Sequence, residues 1–468
     1  MRAVPFFAKY LPLLSLCFAP GLLKAQWQAY VPALPDTIGT FDLCIAHQND
    51  QVVWSIGMKY NVLPTSFGTI HTDSLFFTKT ADGGQSWSGG TIPRGGGAYA
   101  QACSICPINA DTAWACMVDN LNKSHVMQTT DGGQSWTPRL ENGFGYATSY
   151  VNAVYFWDDQ HGVAIGDPAP SATQTLAFFE IYTTDDGGDT WTRISNDSIP
   201  ARLTNEFGYY GDYAVVGDHI WFSSFSPGGS WRRVFHSTDR GHHWTAATAS
   251  VGSISFADEL HGVGNSYNAS TQATSIRYTE NGGASWTILP AIQGARVSTL
   301  VILPESHHLL AVQRTNNISG PFRTMLSTDL GQSWMEIGVG EHAAQAQFST
   351  ASTGYAGEWL TTGHPTRMYR YTGSPMVGIF TGNTLDARVV CAPNPVAEVL
   401  RVEVLAEEGQ SAYCLLLNDE QGRLVARKWL AEGAAEWTEF DVKNLPPGVY
   451  WLTVSGEKGY LTRKVVKL

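Results

Sequence analysis

Six copies of one eight-residue pattern organise most of this chain. They read TADGGQSW (80–87), TTDGGQSW (129–136), TDDGGDTW (184–191), STDRGHHW (237–244), TENGGASW (279–286) and STDLGQSW (327–334). Their tryptophans lie 49, 55, 53, 42 and 48 residues apart. A sustained period of about 50 residues marks a repeat array, in which each unit buries its apolar face against the next.

The unit is all-β. Around the third copy, VNAVYFW (151–157), VAIGD (163–167), FFEIYTT (178–184) and WTRI (191–194) are apolar or aromatic runs separated by turn residues. Four short strands per unit describe one propeller blade. The pattern itself is a hairpin. Its glycines supply positive φ. Asp82, Asp131, Asp186, Asp239, Asn281 and Asp329 can bond backbone groups inside the turn. Trp87, Trp136, Trp191, Trp244, Trp286 and Trp334 open the fourth strand and fill the wedge between blades.

A seventh unit lacks the pattern. AQFSTASTGYAGEW (346–359) and RMYRYTG (367–373) supply three strands, and Trp27 in QWQAYVP reads as the missing fourth. The expectation is a seven-bladed β-propeller closed by its own N-terminus.

The pattern S/T-x-D-x-G-x-x-W resembles the Asp-box (BNR) repeat of sialidase-like and photosystem II assembly-factor-like propellers, over about residues 26–375. That resemblance implies a hairpin on the propeller rim, away from the ligand face, so it speaks to fold and hardly to function. The runs FWDDQHGVAIGDP, DSIPARLTNEFGYYG and GDHIWFSS are most similar to the assembly-factor-like subgroup, which implies a non-enzymatic role.

Residues 1–25 combine a basic start, an apolar stretch and a small residue before Gln26, as a secretory signal peptide does. Charge then divides the remainder. Residues 26–385 carry 16 Lys/Arg and 29 Asp/Glu, or 45 charges in 360 residues; residues 386–468 carry 10 and 12, or 22 in 83. The shift sets a boundary near 385, separating a propeller at 26–385 from a second domain at 386–468. The second domain alternates apolar runs with NP, DEQG, PPG and GEKG turns, a small immunoglobulin-like β-sandwich of about seven strands. Its PNP (393–395), LNDEQGRLV (417–425), LPPGVYWLTV (445–454) and terminal KVVKL resemble the C-terminal sorting domain of type IX secretion substrates. The resemblance implies passage through the periplasm of a Gram-negative bacterium to a secreted or outer-membrane-surface location. The type IX machinery would then be a partner of residues 386–468.

A net charge of −12 has the wrong sign for gripping nucleic acid. Beyond the N-terminus no apolar run is long enough for a transmembrane helix. A monomer is expected. Six cysteines follow the signal peptide, too few for a disulfide scaffold in a chain of this length. Cys103 and Cys106 form a lone CxxC without a second ligand pair. They read as small buried strand residues or as one disulfide to Cys116, with Cys391–Cys414 as another candidate pair. His242 and His243 occupy turn positions filled by Gln85 and Ser86 in the first copy. No metal and no cofactor is expected.

The ligand face of such a propeller is built by loops between second and third strands and between blades. Candidate ligand-binding residues there are Lys59, Tyr60, Phe144, Tyr146, Phe207, Tyr209, Tyr210, Arg314 and Glu358. Lys59, Asp119, Asp167, Arg314 and Glu358 end second strands and are expected to ring the channel mouth. Asp167 and Glu206 fall on the same face and form a candidate acid–base pair, since glycoside hydrolysis needs two carboxylates about 5–9.5 Å apart. The sialidase pattern is absent: the first arginine after the signal peptide is Arg94, in the reversed order Ile-Pro-Arg. The reading is a binding propeller for a glycan or protein. The alternative is a secreted glycoside hydrolase of xyloglucanase-like or sialidase-like type.

Overall fold

A computed structural model describes residues 27–35, 38–59, 75–94, 97, 100–140, 143–144, 150–168, 177–226, 230–268, 270–293, 295–304, 308–315, 322–339, 343–358, 366–371, 388–405, 412–419, 424–431, 437–456 and 459–468. The signal peptide lies outside these residues. The described chain is all-β apart from one turn of 3-10 helix at Asn196–Ser198.

Seven four-stranded antiparallel sheets follow one another as the blades of a propeller. Blade one contains Ile38–Ala46, Asn49–Lys59, Leu75–Thr80 and Ser88–Ile92; blade two Ala100–Pro107, Ala113–Asp119, Ser124–Thr129 and Thr137–Arg139. Blade three contains Val151–Phe156, Gly162–Pro168, Phe179–Thr184 and Thr192–Arg193; blade four Phe207–Val216, His219–Ser226, Ser230–Ser237 and Thr245–Thr248. Blade five contains Gly252–Phe256, Gly262–Asn268, Ala273–Thr279 and Thr287–Gln293; blade six Ala295–Ile302, Leu309–Thr315, Phe322–Ser327 and Met335–Val339. Blade seven joins Ala343–Phe348, Gly354–Glu358 and Met368–Tyr371 to the N-terminal strand Trp27–Tyr30. Trp27 pairs with Tyr371 and Tyr30 with Met368, so the first strand closes the ring. Trp27 is buried edge-on between Phe348 at 5.9 Å and Tyr371 at 5.3 Å.

The repeat builds the same Ser/Thr–Asp/Asn hydrogen-bonded turn at the foot of each of the first six blades, although Trp136 makes no indole bond there. In the first copy Thr80 Oγ1 donates to Asp82 Oδ1 at 2.8 Å and accepts the Gly84 amide at 2.9 Å. The Ser86 amide and hydroxyl donate to the Asp82 carboxylate at 2.9 and 2.5 Å. Trp87 Nε1 donates to the Gly84 carbonyl at 3.1 Å. In the fourth copy His243 takes the serine's place, its Nδ1 lying 2.6 Å from Asp239 Oδ2. In the fifth copy Asn281 Oδ1 accepts the Ser285 amide at 2.9 Å, while its Nδ2 donates to the Ser285 hydroxyl at 2.8 Å. The fifth position is glycine in every copy, and its φ lies between 80° and 91° throughout. The fourth position also has positive φ, yet holds Arg240 and Leu330 in two copies.

Ring packing joins the blades. Trp136 of blade two meets Trp54 and Phe77 of blade one at 6.3 and 5.9 Å, and Trp191 of blade three meets Trp114 of blade two at 6.1 Å. The innermost strands are also linked by a polar relay around the axis. Asp42 Oδ2 accepts the Ile105 amide at 3.0 Å, Ser104 Oγ the Val154 amide at 2.9 Å, and Asp212 Oδ1 the Ile254 amide at 3.1 Å. Ser255 Oγ accepts the Ile302 amide at 3.3 Å and Gln347 Oε1 the Ile45 amide at 2.6 Å. Each bond ties one blade to its neighbour and satisfies an inner-strand amide whose ladder partner is missing.

Of the two readings open for the propeller cysteines, that of small buried residues holds and the disulfide does not. Cys44, Cys103, Cys106, Cys116 and Cys391 are free thiols, which excludes both the bridge to Cys116 and the Cys391–Cys414 pair. The propeller thiols act instead as small buried polar groups. Cys106 Sγ accepts the Phe156 amide of the next blade at 3.3 Å, and Cys116 Sγ lies 3.2 Å from Ser104 Oγ.

Among the described residues the C-terminal module has seven strands in two sheets. One orders Arg388–Ala392, Val399–Leu405 and Thr438–Asp441; the other orders Leu424–Ala431, Ala412–Asn418, Gly448–Gly456 and Gly459–Lys467. Leu400, Val402, Leu415, Leu417, Phe440 and Leu452 fill the space between them. The PNP run holds the last strand: Asn394 Nδ2 donates to the Lys464 carbonyl at 2.7 Å, and its Oδ1 accepts the Val466 amide at 2.8 Å. The Leu468 amide then donates to the Val396 carbonyl at 2.9 Å.

Candidate functional site

In an antiparallel blade the ends of strands two and four and the starts of strands one and three share one face. The Asp-box turns, joining strands three and four, therefore lie on the opposite face. The candidates at the ends of second strands fall on the loop face. Lys59 ends its strand there, but its side chain, with all of Tyr60 and Tyr146, lies outside the described residues.

The carboxylates of this face are buried rather than presented. Asp119, Asp167 and Glu358 are all under 5% exposed (0%, 4% and 2%). Asp119 accepts the Leu121 and Lys123 amides and lies 3.0 Å from His125 Nε2. Asp167 Oδ1 accepts Asn152 Nδ2 at 2.9 Å and the Gly208 amide at 2.8 Å, joining blades three and four. Burial pushes the Asp167 carboxyl up to about 7 against those two bonds. Burial likewise raises Glu358 to about 7, although it accepts the Arg367 amide at 2.8 Å. Glu206 is fully buried. Its carboxylate takes a two-point contact from Arg233, Nε at 2.9 Å and Nη2 at 2.6 Å. It also accepts the Ser224 hydroxyl at 2.6 Å and the Leu203 amide at 2.7 Å. Burial alone would raise this carboxyl, but the guanidinium, hydroxyl and amide outweigh it and hold it below the usual range. Asp167 and Glu206 thus come together about one backbone segment, Glu206–Gly208, with every strong partner already protein.

The aromatic candidates separate. Phe144 is 4% exposed and packs edge-on against Tyr182 at 5.1 Å. A Cβ on Gly166 would lie 2.2 Å from its ring, so Phe144 is core, not a presented loop residue. Phe207, Tyr209 and Tyr210 lie in the first strand of blade four rather than in a loop. That strand carries a large bulge: Gly208 pairs with Ser224 and Tyr213 with Phe222, so four residues face Ser223 alone. At the bulge tip, Gly211 (φ +67°) approaches blades one and two; a Cβ there would lie 3.0 Å from the Cys103 carbonyl and 3.8 Å from the Asp42 carboxyl carbon. Tyr210 is half-buried against the core, while Tyr209 stays 47% exposed and meets Phe225 edge-on at 5.6 Å.

Two residues outside the sequence-based set complete this region. Arg296 is exposed at the start of blade six and sits 5.6 Å from the Tyr267 ring centroid at the end of the second strand of blade five. It is also close enough to Tyr209 to act electrostatically on its phenol. Arg296 pairs in register with Arg314, half-buried on the next strand. Directly opposed strand residues project from the same side of a sheet. No carboxylate among the described residues forms an ion pair with either arginine. The sequence signal for Arg296 was its place at the start of a first strand, which mirrors Arg314 at the end of a second. Among the described residues no group of three or more His, Cys, Asp or Glu is arranged to hold a metal ion, and no helix is long and apolar enough to cross a membrane.

Residues 391–468 match the family described as "Secretion system C-terminal sorting domain". No curated protein matches the chain. Similar solved structures include YCF48 from Cyanidioschyzon merolae, at 15% identity over 74% of this chain and 98% of that one, TM-score 0.47. A GH74 xyloglucanase from Xanthomonas campestris is similar at 9% identity over 93% and 75%, TM-score 0.42. A Trypanosoma rangeli sialidase mutant is similar at 10% over 94% and 88%, TM-score 0.41. At such identities and scores none of these likenesses bears on activity.

Proposed function

We propose that this chain, an Asp-box propeller bearing a type IX secretion sorting domain, is a cell-surface or secreted binding protein whose loop face takes a glycan. Its route runs through the periplasm, and residues 386–468 engage the type IX machinery. The observation that carries the binding reading is the state of the carboxylates. Glu206 is held by Arg233 and Ser224, and Asp167 by Asn152 and Gly208, so neither is poised against a substrate. A general acid or base must reach the proton it moves. What the mouth offers instead is contact surface: Tyr209, Tyr267 and the two arginines of blade six.

The test is a glycan array together with an activity screen on xyloglucan, other polysaccharides and sialosides. Array binding without turnover is the expected result. Turnover that disappears in Asp167→Asn or Glu206→Gln, each still folded, would establish a glycoside hydrolase instead. A protein ligand with no glycan signal would also replace this reading.

A further inference from the structure

The geometry points to Arg296 and Arg314 as the anion-reading pair of a site for a polyanionic glycan, one carrying uronate carboxylates or sulfate esters. This rests on the glycan-binding reading and names the ligand's chemistry. The two arginines are cross-strand partners on blade six, at the loop face. Like charges directly opposed on a sheet repel and lower stability. Five other propeller arginines have carboxylate partners: Arg139 with Asp189, Arg193 with Glu180, Arg233 with Glu206, Arg240 with Asp158 and Asp218, Arg323 with Glu336; what distinguishes Arg296 and Arg314 is that they oppose each other directly in the ladder. Residues 26–385 contain 29 acidic side chains, so partners are plentiful in composition, yet among the described residues none pairs with Arg296 or Arg314. An external oxyanion would relieve that repulsion and accept the guanidinium forks.

The surroundings favour a sugar over an acidic peptide. Tyr267 lies beneath Arg296, and Tyr209, 47% exposed, is near enough to Arg296 to feel its charge. Flat rings flanking cationic forks supply contact area at low entropy cost for a ring-shaped, partly apolar ligand. The bulge at Tyr209–Asp212 is what brings Tyr209 there.

The full mature protein is titrated with polygalacturonate, its methyl ester, dextran sulfate and unmodified dextran. Polyglutamate serves as an acidic-peptide control. Binding of polygalacturonate or dextran sulfate, at least about tenfold tighter than the neutral counterpart and weakened by salt, is expected. Which of the two binds identifies carboxylate or sulfate as the source. Arg296→Gln and Arg314→Gln should each weaken it about fivefold or more, with a melting temperature equal to or above that of the wild type; Arg323→Gln, on an ion-paired arginine, should not weaken it. Tyr209→Ala gives an independent second readout. Equal binding of neutral and charged polymers, or arginine variants that bind like wild type, overturns this inference while leaving glycan binding in place. Binding of polyglutamate alone, or of none of the polymers, overturns both.

Discussion

A Cβ placed on Gly133 would lie 2.2 Å from Cζ of Phe77, on the preceding blade. The same holds one blade on, where a Cβ on Gly188 would lie 2.3 Å from Cη2 of Trp114. In these copies the fifth position is therefore glycine for two reasons, its φ of 80–89° and the flush packing of the preceding blade; at Gly84, Gly283 and Gly331 the nearest atom would be 3.6 Å away and only the first reason applies. Gly132 has chiefly the first reason, because its Cβ would meet the far end of the Lys79 side chain rather than a ring.

Gly132→Ala should cost about 1–2 kcal/mol, the strain of a left-handed backbone. Gly133→Ala should cost that plus about 1–3 kcal/mol more for overpacking against Phe77. Denaturant unfolding of the two variants measures the difference, and equal costs would remove the packing explanation.

Ring closure depends on the N-terminal strand. Removing residues 26–32 should lower the melting temperature by several degrees, because blade seven loses Trp27–Tyr30. Trp27→Ala alone should cost about 3–5 kcal/mol as a buried ring is deleted. An unchanged melting curve for either would show that the strand is not a closing element.

Glu206 and Arg233 form a pair that is 0% and 12% exposed in its side chains. Glu206→Gln should cost about 3–5 kcal/mol by leaving a buried guanidinium uncompensated. Glu206→Gln combined with Arg233→Met should recover much of that loss. A double variant less stable than the single one would contradict the pairing account.

The buried carboxyls impose a pH dependence. Asp42, Asp167 and Glu358 are raised to about 7 by burial, from ordinary values of 3.8, 3.8 and 4.5. In that window the folded chain binds more protons than the unfolded one. Their contribution is therefore full below about pH 4 and is lost as the pH rises through about 7. Asp82 and Asp131 have the opposite sign. The hydrogen bonds from Ser86 and Ser135 hold them at about 2, so their contribution is lost as the pH falls through that value. Melting temperature followed from pH 2 to pH 9 should peak near about pH 4 and fall between about pH 4 and pH 7. In a variant carrying Asp42→Asn, Asp167→Asn and Glu358→Gln the alkaline side should flatten; an unchanged slope would show that other groups set it.

Deleting residues 386–468 should leave the propeller in the periplasm. Asn394→Ala should loosen the terminal strand from the PNP run, since both bonds that Asn394 makes go to Lys464 and Val466. Fractionation followed by immunoblotting reads the outcome. Normal surface display of the deletion would refute the sorting role.

Blade number, ring closure and the Asp-box turns were legible in the sequence because each is a short-range or repeated device. The side-chain hydrogen bonds that shape one turn lie within eight residues, from Thr80 to Trp87 in the first copy, so the motif carries most of its own structure; the Gly83 amide reaches outside it, to the Gln51 carbonyl. Trp27 could be assigned because blade seven lacked one strand. The candidate site was legible only in part. Phe144 looked like a loop aromatic and is core, since its position follows from Gly166 and Tyr182 on another strand. Asp167 and Glu206 looked like a reactive pair, but their partners Asn152, Gly208, Ser224 and Arg233 arrive from strands of two blades.

By itself, then, the amino-acid sequence determined a seven-bladed ring with an exported sorting module, because those are set by local turn chemistry, period and composition. The tertiary structure alone decided which side chains face the mouth. A four-residue bulge moves Tyr209 out and Tyr210 in, and the register of blade six sets Arg296 against Arg314. Both depend on pairing between segments that no motif spans, where one extra residue changes which side of the sheet a side chain occupies.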